Sequence, residues 1–129
     1  TVRPEMPSAA QIAACRWLPE AELAIYAAEF SRTGFQGGLQ WYRCATGADH
    51  IAELRPLVGR SIRVPAAFIA GKSDWGTYQF PGSFERMQST ACERMTACHL
   101  VEGAGHWVQQ EQPEETNRLL LSFLRELPA

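Results

Sequence analysis

Residues 64–70 are apolar at every position, whereas from Thr116 to Leu127 apolar side chains recur every third or fourth residue. The first texture, extended back to Ile62 and bounded by glycines, predicts a short buried strand over 62–70. Pro65 near its start is tolerable only where its missing N–H is not needed. The second texture predicts a helix opened by Gln112 and Pro113. Its apolar face comprises Thr116, Leu119, Leu120, Phe123, Leu124 and Leu127. Between them, 84–91 reads as helical and 99–102 as a second short strand, ended by Gly103-Ala-Gly105. The segments 71–76 and 109–115 read as a loop and a polar exposed turn.

Towards the amino terminus, Pro19-Glu-Ala-Glu22 has the form of a helix opening, with acids beside the positive end of the dipole. Leu23, Tyr26, Ala27 and Phe30 then form a stripe, and Gly34 is a natural stop. The glycine-rich stretch from Phe35 reads as a turn feeding a short helix that carries Trp41 and Tyr42. A further helical stretch over 49–57 is interrupted by Pro56, with His50 beside Asp49 at its solvated start.

Strand, helix, strand, helix implies a right-handed parallel α/β unit. Two parallel strands make a poor sheet by themselves, because each needs both faces and both edges covered. The chain is therefore expected to be the end of a larger α/β domain. Its 129 residues have the length of one domain, and 46% hydrophobic with 20% charged residues places it among globular chains. A formal net charge of -2 with a pI near 5.9 gives no basic footprint for nucleic acid. No apolar run reaches membrane-helix length. A start at Thr1 suggests a processed or truncated chain.

Cys15, Cys44, Cys92 and Cys98 are expected as free thiols in a reducing compartment, the cytoplasm, although the spacing allows a local Cys92–Cys98 bridge. Cys92, Cys98 and His99 match no tetrahedral ligand spacing, so no metal is expected.

In an open parallel sheet, ligands bind beyond the carboxyl ends of the strands. Asp74 follows the first predicted strand and His106 the second. In adjacent strands those loops lie side by side, where a carboxylate can fix the tautomer of an imidazole. The competing reading is that Asp74 caps a turn and His106 is an ordinary surface histidine. A nucleophile elbow, small-x-nucleophile-x-small between a strand and a helix, is absent. Ser73 has Trp75 two residues on, Cys15 has Trp17, and no strand leads into Cys44. The nucleophile is expected outside this chain.

The segments "EFSRTGFQGGLQWYR" (29–43), "VPAAFIAGKSDWG" (64–76) and "VEGAGHWVQQEQPEETNRLLLSFL" (101–124) together resemble the carboxyl-terminal part of an epoxide hydrolase of the α/β-hydrolase fold. The resemblance implies an incomplete α/β-hydrolase fold: residues 1–45 the second part of a helical cap, 46–129 the last strands and helices of the core. It matches Asp74 to the acid of a triad, His106 to its base, and Tyr42 to one of two tyrosines that hydrogen-bond the epoxide oxygen. Gln40 stands where the family usually has Asn, and Ser73 lengthens the acid loop relative to many relatives. Trp75, Tyr78, Trp41, Phe35 and Trp107 are candidates for a substrate-binding aromatic lining. For Phe35 and Trp41, packing between cap and core is the simpler assignment.

The implied reaction is attack by an upstream Asp on an epoxide carbon, then hydrolysis of the alkyl-enzyme ester by water that His106 activates. The partners implied are a small epoxide and the amino-terminal half of the hydrolase, with no cofactor, nucleic acid or membrane. A homodimer is left open. A sibling chemistry, dehalogenation or ester hydrolysis, uses the same Asp–His pair. A third reading is a non-catalytic chain that docks onto an amino-terminal half.

Overall fold

The computed structural model describes residues 6–46 and 52–128. They fall into two compact units that divide between Val58 and Gly59.

The described part of the first unit is helical. Helix α1 (Ala9–Ala14) opens on a capping box. The Ser8 hydroxyl oxygen accepts the Gln11 N–H, and Gln11 Oε1 accepts the Ser8 N–H at 2.8 Å. Helix α2 (Glu20–Thr33) begins after Pro19 and stops at Gly34, whose φ of 68° only glycine adopts without strain. Helix α3 (Gln36–Thr46) starts earlier than the sequence suggested and takes in Gly37 and Gly38. Those two sit in its first turn, where the helix-weakening effect of glycine is least costly. Arg43 spans two turns of α3 to donate to Gln36 Oε1 at 2.8 Å. Of the helical stretch expected over 49–57, Asp49 and His50 lie outside the described residues. Residues 52–54 are helical, and Arg55–Leu57 is a 3-10 turn with Pro56 near its start.

The second unit is built on two parallel strands, β1 (Ala66–Gly71) and β2 (Met95–Val101). Strand β1 starts four positions later than expected. Pro65 cannot donate to a ladder, so Ile62 makes only an isolated bridge to Cys92 before the strand begins. Strand β2 starts earlier than expected, because the small residues from Thr96 to Cys98 become strand by pairing with β1 rather than by propensity. One register irregularity lies between Ala66 and Ala67, where the Thr96 hydroxyl donates to the Ala66 carbonyl at 3.1 Å.

The crossover from β1 to β2 contains two short helices, α4 (Trp75–Tyr78) and α5 (Ser83–Arg86), and then a π turn over Met87–Ala91. The loop expected over 71–76 is thus partly helical, and the helix expected over 84–91 changes pitch midway. The Cys92 N–H reaches back to the Met87 carbonyl at 2.9 Å, which widens that turn. Phe84 meets Phe68 of β1 edge-on, with centroids 5.6 Å apart.

After β2 come α6 (Val108–Glu111) and α7 (Pro113–Arg125). The exposed turn expected over 109–115 is therefore mostly helix. Val101, Ala104, Val108 and Leu119 form the core cluster, with Ile69 packed against it. Leu119 is buried and Phe123 half-buried, but Leu120 and Leu124 of the anticipated apolar face stay exposed, together with Leu121. The thiols of Cys15, Cys44, Cys92 and Cys98 are free, and burial pushes that of Cys98 up. Among the described residues no cluster of His, Cys, Asp and Glu is arranged to hold a metal, and no helix is long and apolar enough to cross a membrane.

Candidate active site

The carboxyl ends of β1 and β2 are level, since Gly71 pairs with Val101. The chains leaving them stay in contact for several residues. Lys72 N–H donates to the Val101 carbonyl at 2.9 Å, and Ser73 N–H to the Ala104 carbonyl at 3.0 Å. The approach is close enough to require glycine. A Cβ on Gly71 would lie 2.1 Å from the Gly105 carbonyl oxygen and 2.4 Å from that of Ala104. Lys72 and Glu102 form an ion pair across the same two loops, and that carboxylate raises the Lys72 ammonium above its ordinary value. The pair is exposed, so it adds little stability.

This pinning carries Asp74 and His106 together. His106 Nδ1 lies 3.1 Å from Asp74 Oδ1. The same Oδ1 accepts the Gly76 N–H at 2.9 Å and so caps α4. One oxygen thus both caps α4 and contacts the imidazole. The carboxylate is mostly shielded, at 14% side-chain exposure, while the imidazole is open at 56%. With Nδ1–H donated to the carboxylate, a neutral ring carries its lone pair on Nε2. Such a ring is in the correct tautomer to remove a proton from water or a hydroxyl.

Two indoles flank the imidazole. Trp75, the first residue of α4, lies nearly parallel to it, with centroids 6.3 Å apart and 22° between planes. Trp107 meets it edge-on at 5.3 Å and 76°. Tyr78 donates to the Lys72 carbonyl at 3.2 Å and ties α4 to the end of β1. The remaining candidates belong to the first unit. Tyr42 and Trp41 are exposed on α3, and Phe35 stacks on Phe30 at 4.7 Å.

Two residues that shape the site, Gly71 and Glu111, carry no signal of that role in the sequence. Gly71 reads as a strand boundary, although two glycines at the other loop's tip, Gly103 and Gly105, hint at a close backbone approach. Glu111 lies in the stretch whose polarity predicts an exposed turn. Its carboxylate in fact accepts the Gly105 N–H at 2.8 Å and the Trp107 N–H at 2.9 Å, one on each side of His106.

No family model matches the chain. It is 41% identical over 108 residues to epoxide hydrolase B of Mycobacterium tuberculosis, an alignment covering 84% of this chain and 30% of that protein. It is 40% identical over 116 residues to epoxide hydrolase A of the same organism, covering 84% and 32%. Among solved structures, potato epoxide hydrolase I superposes with a TM-score of 0.78 at 31% identity, over 95% of this chain and 38% of that one. Epoxide hydrolase A from Mycobacterium thermoresistibile gives 0.75 at 41% identity, over 88% and 34%. The chain thus spans about a third of the length of the relatives it matches. In sequence and in fold, it corresponds to the carboxyl-terminal portion of the epoxide hydrolases of the α/β-hydrolase fold.

Proposed function

We propose that this chain is part of an enzyme that hydrolyses epoxides to vicinal diols through an alkyl-enzyme ester. Residues 1–45 would contribute to its cap and 46–129 to its core. The observation that carries the reading is the His106–Asp74 contact of 3.1 Å at the mouths of two adjacent parallel strands. A nucleophilic carboxylate outside this sequence opens the epoxide and forms the ester. Asp74 holds Nδ1 of His106, Nε2 takes a proton from water, and the resulting hydroxide cleaves the ester. Tyr42 donates its phenolic proton to the epoxide oxygen as the C–O bond breaks. An alkoxide is a poor leaving group, so a positioned acid is worth roughly 10²–10⁴ in rate.

The need for further chain is supported by packing. Among the described residues the sheet has two strands, and large apolar side chains of the second unit are exposed, among them Phe80 at 65% and Leu124 at 51%. Surfaces of that kind are normally covered by another part of the same protein or a partner.

The test is a substrate panel on the enzyme assembled from this chain and its nucleophile-bearing portion. Diol should form from an aromatic epoxide, with haloalkanes and aryl esters far slower. Halide release at the faster rate would move the reading to a dehalogenase. Tyr42→Phe is expected to slow ester formation by roughly 10²-fold or more and to leave ester hydrolysis much less affected. Equal single-turnover bursts for variant and parent would remove Tyr42 from the mechanism.

A further inference from the structure

The loop that carries His106 is shaped by the residues immediately after it. Val108 is buried in the core cluster and anchors α6. One turn further on, Glu111 is brought back over the start of its own helix. Its Oε1 accepts the N–H of Trp107, the residue that caps α6, at 2.9 Å. An acid doing this at a helix start resembles a capping box and needs no further explanation. Oε2, however, reaches two residues beyond the cap and accepts the Gly105 N–H at 2.8 Å. The helix end does not require that second bond. The two amides so held are those on either side of His106. The carbonyls of Ala104 and Gly105 also rest against Gly71, and that of Ala104 accepts the Ser73 N–H.

We infer that Glu111 is a positioning residue for His106: by holding the flanking amides with one oxygen each, it fixes the direction in which the imidazole leaves the chain. The inference rests on the reading of His106 as the base. Only a carboxylate meets the requirement, because both oxygens must accept. Glutamine at this position offers one acceptor and sets its NH₂ against a backbone N–H, two donors facing each other. Displacements of about 1 Å at a reacting group can cost on the order of 10²-fold in rate. The base acts on ester hydrolysis and not on ester formation, so a fault in its aim should appear in one step alone.

The experiment compares E111A and E111Q with parent and H106Q, all in the assembled enzyme, by single-turnover quench and intact mass. H106Q should trap the ester and defines full loss of the base. E111A should form ester at nearly the parent rate and hydrolyse it on the order of 10²-fold more slowly, with E111Q between it and the parent. Parallel slowing of both steps, together with a lowered melting temperature, would assign Glu111 to folding alone and overturn the inference. Parent-like hydrolysis in E111A would overturn it too. Ester that fails to accumulate in H106Q would overturn the base reading and this inference with it. Should E111A not fold, E111Q carries the test, since it keeps the length of the side chain and one of the two bonds.

Discussion

His106→Gln in the assembled enzyme is expected to form the alkyl-enzyme ester once and then stop. On the proposed mechanism Asp74 Oδ1, 3.1 Å from Nδ1, holds that nitrogen and Nε2 accepts the proton, whereas an amide of similar reach has no basic nitrogen. Steady-state diol formation should fall roughly 10⁴-fold, as when one member of a triad is removed. Ester formation, which needs no proton from the enzyme's base, should survive. Intact mass after mixing with epoxide should show one adduct per protein that persists for many parent turnovers. A variant within tenfold of the parent in steady state would place the base elsewhere.

Gly71→Ala should be among the most damaging substitutions in the second unit, although it adds one methyl group. That methyl would meet the carbonyl oxygens of Gly105 and Ala104 at 2.1 and 2.4 Å, far inside contact distance. Neither oxygen belongs to a side chain that can swing aside. The Ala104 carbonyl already accepts the Ser73 N–H, and the Gly105 amide is held by Glu111. The strands must therefore part at their carboxyl ends, at a cost of about 3 kcal/mol or more. The melting temperature should drop on the order of 10 °C. Gly37→Ala is the matched control. Nothing lies within 4 Å of a Cβ there, and the residue is inside α3, so alanine should leave stability unchanged or raise it. Equal melting temperatures for Gly71→Ala and parent would remove the close approach from the account.

The parts of the molecule with a local cause were legible in the sequence. Helix α2 was readable because its opening proline and acids, its apolar stripe and its glycine stop agree. Helix α7 was readable from Pro113 and the spacing of its leucines. The Asp74–His106 pair was reachable because each residue follows an apolar run that ends in glycine. Strand β2 was less legible, since Thr96, Ala97 and Cys98 prefer no conformation strongly and become strand by pairing with β1. Helix α1 carried a readable signal, Ser8 with Gln11 three positions on, but its alanine-rich body has no stripe to draw attention to it. The roles of Gly71 and Glu111 are tertiary. Each depends on which backbone groups the fold brings opposite, and no spacing along the chain records that.

Asp74 caps α4 and binds His106 through the same oxygen, and Trp75 is the first residue of that helix. The backbone that places the indole is therefore the backbone that places the carboxylate, so a shift of the chain at position 75 would move both. Redesign here would have to change the side chain at position 75 and leave its backbone alone. A smaller residue there would widen the approach to His106, whereas a loop inserted to shift the indole would drag the carboxylate away from the imidazole it contacts.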